Sequence, residues 1–146
     1  MLRDFARRDQ RAVRDLILDG LRERWGDGFD PSYNADLEDI TSSYVAKGAE
    51  VVVFEREGAV IATGTLLSES DLRGRIVRVS VAATDRRRGL GRSVVEELVR
   101  RARRRGMREL LVLTDTPWVS ALALYRACGF VAVGQDSTDT YLAMVL

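Results

Sequence analysis

Histidine is absent from this chain of 146 residues, and cysteine and lysine occur once each, as Cys128 and Lys47. Without histidine, Ser-His-Asp and Cys-His nucleophiles are excluded, and so are nearly all zinc sites. A single cysteine forms no intrachain disulfide. Acid–base chemistry therefore falls to Asp, Glu, Tyr, Lys47 or water. Proline occurs only twice, as Pro31 and Pro117, so few helices or strands are interrupted by it. No apolar run approaches the ~20 residues of a membrane helix. Arg3, Asp4, Arg7 and Arg8 break up the apolar stretch that a secretory leader requires. The expectation is one domain over residues 1–146, soluble and cytoplasmic, with no membrane partner.

What is present is a core-forming share of apolar residues, 46%, and charge that is segregated although the net is only +1. Residues 26–71 hold ten acids against Lys47 and Arg56, a net of −8. Residues 72–108 hold thirteen arginines against Asp85, Glu96 and Glu97, a net of +10. A basic half suits a polyanionic ligand and an acidic half suits a cation. Most of these charges are expected to be solvated faces.

Periodicity predicts a short strand over 2–5, then a helix capped by Asp9 and running to Trp25, with Val13, Leu16, Ile17 and Leu21 inward. Asn34 is expected to cap a second helix carrying Leu37, Ile40, Tyr44 and Val45, stopped at Gly48. Val51 to Phe54 and Val60 to Leu67 read as a hairpin about a turn at 55–58. Ile76 to Val81 is another strand. The helix after Gly91 buries Val94, Val95, Leu98, Val99 and Ala102, with Glu96–Arg100 and Glu97–Arg101 as ion pairs on its wet side. Leu110 to Leu113 reads as a strand covered on both faces. Thr116-Pro117 starts a helix that Gly129 stops, and two strands follow, Phe130 to Val133 and Thr140 to Val145. Trp25 and Trp118 are expected to be packing residues, and Cys128 a small buried hydrophobe.

The segment Arg86-Arg87-Arg88-Gly89-Leu90-Gly91-Arg92 joins a strand to a helix. A helix start offers unpaired N–H groups and the positive end of its dipole. Glycine lets a bulky anion come close to the backbone, so the arrangement suits a pyrophosphate, with arginines for further phosphates. A Walker loop would need Lys-Ser/Thr after Gly91. A dinucleotide fingerprint would need glycine at Val94. Neither is met.

Arg86, Gly89 and Gly91 resemble the Gln/Arg-x-x-Gly-x-Gly/Ala signature of the Gcn5-related N-acetyltransferases (GNAT). The stretch Ala121 to Phe130, with Tyr125 before Gly129-Phe130, resembles that family's second motif. The resemblance implies an α/β fold, with a mixed and mostly antiparallel sheet of six to seven strands flanked by about four helices, in the order β-α-α-β-β-β-α-β-α-β-β. It implies acetyl-CoA as acyl donor, with no metal. The amides of Arg87, Arg88, Gly89, Leu90, Gly91 and Arg92 would hold its pyrophosphate, with Arg86 beside them. The edge of Val79, Ser80 and Val81 would bind the pantetheine arm where the fourth and fifth strands splay. Tyr125 would be the general acid. The expected reaction is acetyl transfer to a primary amine, on a small molecule or a protein, by direct attack on the thioester.

Two positions depart from the family pattern. Trp118 stands where many relatives carry Asn, and Leu113 where some carry Glu. No dedicated base is evident, and Asp115, Ser80, Glu69 and Asp71 are the candidates. The acidic segment suggests a cationic acceptor. The alternative is a non-catalytic acyl-CoA sensor of the same fold. Nucleic-acid binding is not expected, because acids interleave the arginines and no stacking aromatics lie among them. A homodimer is left open.

Overall fold

A computed structural model describes residues 1–116 and 118–146, leaving aside the side chain of Asp27. Seven strands form one sheet: β1 (Leu2–Asp4), β2 (Glu50–Arg56), β3 (Ala59–Ser68), β4 (Arg73–Val81), β5 (Glu109–Asp115), β6 (Val131–Gln135) and β7 (Asp139–Val145). Their spatial order is β1-β2-β3-β4-β5-β7-β6. Every neighbouring pair is antiparallel except β4 and β5. The helices are α1 (Gln10–Trp25), α2 (Ile40–Ser43), α3 (Leu90–Arg104) and α4 (Val119–Ala127). The expected fold class and element order are those observed. Pro117, where the start of the last helix was expected, lies outside the described residues. No helix among the described residues is long and apolar enough to cross a membrane.

Strand alternation divides the interior into two cores. On β2, Val51 and Val53 point to one face, where Val13, Ile17, Leu18, Leu37 and Ile40 pack. Val52 points to the other, against Val94, Val95, Leu98 and Ala102 of α3. Each such buried Val, Leu or Ile contributes about 1.5–3 kcal/mol of transfer free energy. Gly64 on β3 sets how closely α3 can approach: a Cβ there would lie 2.6 Å from Val94 Cγ1.

Several local expectations are corrected. Asp9 stands at the start of α1 but its side chain makes no cap bond there. It accepts instead from the Ala6 N–H and from Arg3, which also reaches Glu55. The second helix is broken. Asn34 does not cap it, and a 3₁₀ stretch Pro31–Glu38 kinks at that residue before α2 begins. Asp30 and Asp39 supply the caps, to Ser32 and Ser42. The reason is competition from local side-chain bonds in a stretch of Asp, Asn and Ser. Glu97, not Glu96, pairs with Arg100 as well as Arg101, and Glu96 pairs with Arg92. Trp25 is exposed at the end of α1, and Leu113 is 41% exposed on β5, so β5 is not covered on both faces.

Candidate active site

The parallel pair β4 and β5 is joined only at its beginning. Arg73, Gly74 and Arg75 pair with Glu109, Leu110 and Leu111, and beyond Arg75 the strands part. The edge of β4 from Ile76 to Val81 therefore has no strand beside it on that side, although Thr63 and Ala62 of β3 pair with Ser80 and Val81 on the other. A bulge lies just beyond the parting. Gly64 faces two residues, Arg78 and Val79, and Arg78 takes left-handed backbone at φ 57°. Bulges increase local twist and re-aim side chains. A non-glycine residue in this conformation costs on the order of 1–3 kcal/mol. Arg78 is held there by Asp36, at 2.8 and 2.9 Å from Nη2, and by Asn34 Oδ1 at 3.0 Å. Tyr44 donates to the same Asp36 carboxylate.

The parting opens a cleft of about 1100 Å³. One end is floored by the loop before α3. Asp85 N–H bonds the Ala82 carbonyl, and Ser93 N–H bonds that of Gly89. Among the described residues, the seven N–H groups between, Arg86 through Arg92, find no acceptor in the chain. Arg87 and Gly89 are left-handed, at φ 64° and 77°. Successive N–H groups shaped by such backbone form a concave anion site, which the dipole of α3 reinforces. A Cβ at Gly89 would meet nothing within 4 Å, so the space before the loop is open.

The loop's arginines differ in their freedom. Arg86 donates to Glu23 on α1 at 2.5 Å and to the Val81 carbonyl at 3.3 Å, which ties loop, strand and helix together. Arg92 pairs with Glu96 at 2.6 Å. Arg88 lies 3.9 Å from Asp85. Among the described residues Arg87 has no ion pair, so it is the most available for a phosphate.

The other end of the cleft is walled by α1, α4 and the ends of β5 and β7. Tyr125 is 7% exposed, packs edge-on against Phe130 with ring centroids 5.7 Å apart, and lines the cleft. Its hydroxyl has no hydrogen-bond partner among the described residues. Burial raises its pKa well above the usual tyrosine value, although the Arg24 cation opposes the shift. The neutral, proton-bearing form is therefore its resting state. Arg24 of α1 lies against the Trp118 ring. Burial lowers its pKa to about 10, which leaves it a cation at neutral pH. Cys128, half-buried beside the α3 core, is likewise raised by desolvation.

Of the four candidate bases, Asp115 and Ser80 line the cleft. Glu69 pairs with Arg75 and Asp71 is exposed in the β3–β4 loop. None of the ten acids of residues 26–71 lines the cleft among the described residues. Asp36 comes near it only through Arg78. Sequence reasoning missed three contributors. The first is the Arg78 bulge, hidden in a regular-looking strand. The second is Glu23 with Arg24 at the end of α1. The third is Asp139, which β7 places directly opposite Asp115. None of these carries a local signal, because each depends on pairing between distant segments.

The profile of the Acetyltransferase (GNAT) family matches residues 11–130. Human (Homo sapiens) N-acetyltransferase 8 is 30% identical over 121 residues, covering 79% of this chain and 53% of that protein. The chain spans about half the length of the curated relatives it matches. Two solved structures share the fold. The acetyltransferase of Streptococcus agalactiae superposes with a TM-score of 0.89 at 14% identity, over 100% of this chain and 98% of that one. The PaiA N-acetyltransferase of Thermoplasma acidophilum, solved in complex with coenzyme A, gives 0.85 at 10% identity, over 100% and 98%.

Proposed function

The chain belongs to the GNAT family of acetyltransferases, and from that premise we propose that it moves an acetyl group from acetyl-CoA to a primary amine. The observation that carries the reading is the run of seven unpaired N–H groups, Arg86 to Arg92, opening onto a cleft that continues between the parted strands. The loop would bind the pyrophosphate, with Arg87 free for a further phosphate. The unpaired edge of β4 at Val79, Ser80 and Val81 would hold the pantetheine arm by backbone bonds, as an added strand does. That the Thermoplasma protein of the same fold binds coenzyme A supports this assignment.

The amine attacks the thioester carbonyl directly, so no enzyme nucleophile is required, in keeping with a chain free of histidine. A β4 N–H beside the carbonyl would stabilise the oxyanion. Tyr125 would donate to the departing thiolate. Desolvation weakens it as an acid, but the same desolvation raises a thiol leaving into that cleft, as Cys128 illustrates nearby. Two measurements test the reading: calorimetric titration with CoA and acetyl-CoA, and thiol release across a panel of amines. Micromolar binding with amine-dependent release is the expected result. No binding of either ligand would overturn it, and binding without release from any amine would leave the sensor in its place.

A further inference from the structure

Asp115 ends β5 and Asp139 begins β7, and the register sets them directly opposite each other. Like charges opposite one another on neighbouring strands repel, and neither carboxylate takes part in an ion pair among the described residues. Both are half-buried and both line the cleft. Local hydrogen bonds anchor the backbone of each. The Asp115 carbonyl accepts from the Trp118 N–H at 2.9 Å, and the Asp139 N–H donates to Asp136 at 2.7 Å. An independent feature lines the same cleft, namely the Tyr125 side chain, more than nine-tenths buried and with no partner for its hydroxyl among the described residues. A proton donor and a proton acceptor thus share one end of a cleft whose other end is built for an anion.

Resting on the transfer reading above, we infer that Asp115 is the general base that takes the proton from the acceptor ammonium, and that Asp139 positions and tunes it. The charged groups acting on Asp115 are Asp139 on β7 and Arg24 on α1, and Tyr125 of α4 lines the same cleft. Burial and the Asp139 charge hold Asp115 above the usual carboxylate range, while Arg24 opposes them. A base poised nearer neutrality is the better catalyst at neutral pH. One proton passes from the ammonium to the Asp115 carboxylate and on to solvent. The freed lone pair forms the C–N bond. As the C–S bond breaks, Tyr125 gives its proton to the sulfur and is restored by the second proton leaving nitrogen. The products are the amide, the free thiol of coenzyme A and one solvent proton.

The test compares wild type with Asp115→Asn on ethylamine and on trifluoroethylamine, a near-isosteric amine already neutral at pH 7. The variant is expected to lose about 10²-fold or more in kcat on ethylamine, less than tenfold on trifluoroethylamine, and to keep its KM for acetyl-CoA within about twofold. Equal losses on both amines would overturn the base and leave Asp115 a binding residue. A variant within about threefold of wild type on both would overturn the base alone. A wild type that binds CoA yet releases thiol with no amine of the panel would overturn the transfer reading and the base together. If Asp115→Asn does not fold, Asp139→Asn decides. Removing the like charge should shift the acid limb of kcat/KM to lower pH, and a limb that stays in place would overturn the pairing.

Discussion

At the scale of single residues, Tyr125 combines two properties that ordinarily exclude one another. It sits in the apolar core beside Phe130, yet its hydroxyl is left without a partner at the edge of a cleft. The ring is buried, while the hydroxyl opens onto the cleft, where water can reach it. Packing alone would be served as well by phenylalanine. Tyr125→Phe should therefore keep or slightly raise the melting temperature and leave CoA affinity within about twofold. It should lower kcat about 10²-fold, the ordinary share of a positioned acid. Thermal melts, calorimetry and steady-state thiol release together separate these outcomes. A variant as fast as wild type would remove Tyr125 from the chemistry.

At the scale of elements, the site depends on where β4 stops running beside β5, and that depends on Gly64. The residue opposite the bulge has no side chain because α3 presses against it through Val94 and Leu98. Gly64→Ala should cost about 1–3 kcal/mol by overpacking, seen as a reduced urea midpoint at unchanged slope. Because α3 carries the anion loop at its start, CoA affinity should fall along with stability. A neutral Gly64→Ala would show that the α3–β3 contact is soft. Elements also explain the failure of the second helix. Asp30, Asn34, Asp36 and Asp39 bond locally or to Arg78, and those bonds displace the helical ladder.

At the scale of the whole molecule, ion pairs join segments far apart in sequence. Arg101 of α3 reaches Asp4 on β1 and Glu50 on β2. Arg3 binds Asp9, which is 4% exposed, and also Glu55. The Arg3 guanidinium holds the Asp9 carboxyl below the usual carboxylate range. The stability this contributes is present above the unfolded-state pKa of about 3.9 and is lost as pH falls through the lower folded value. Asp9→Asn should cost about 2–4 kcal/mol at pH 7, with the gap from wild type closing below about pH 4. Denaturant titrations across pH would show it, and a gap independent of pH would refute the linkage. Ligand binding adds a second global effect. At one hundred times its Kd, CoA should stabilise the fold by about 2.7 kcal/mol, a rise of roughly 5–10 °C in Tm for a chain this size.

The sequence by itself determined the chemical repertoire and the position of the glycine-rich helix start. The absence of histidine removes whole classes of chemistry. Alternating Val51, Val52 and Val53 serve two cores. The glycines and arginines of 86–92 announce a strand-to-helix turn with unpaired N–H groups, because helix starts and glycine turns are local properties written in neighbouring residues. The tertiary structure alone decided what faces that loop. The left-handed bulge at Arg78, the Glu23–Arg86 tie, the exposure of Leu113 and the meeting of Asp115 with Asp139 all arise from contacts between segments distant in the chain. Their physical origin is the register between β3 and β4 and between β5 and β7. Alternation and turns favour a register, but only the assembled sheet decides which distant side chains meet across it.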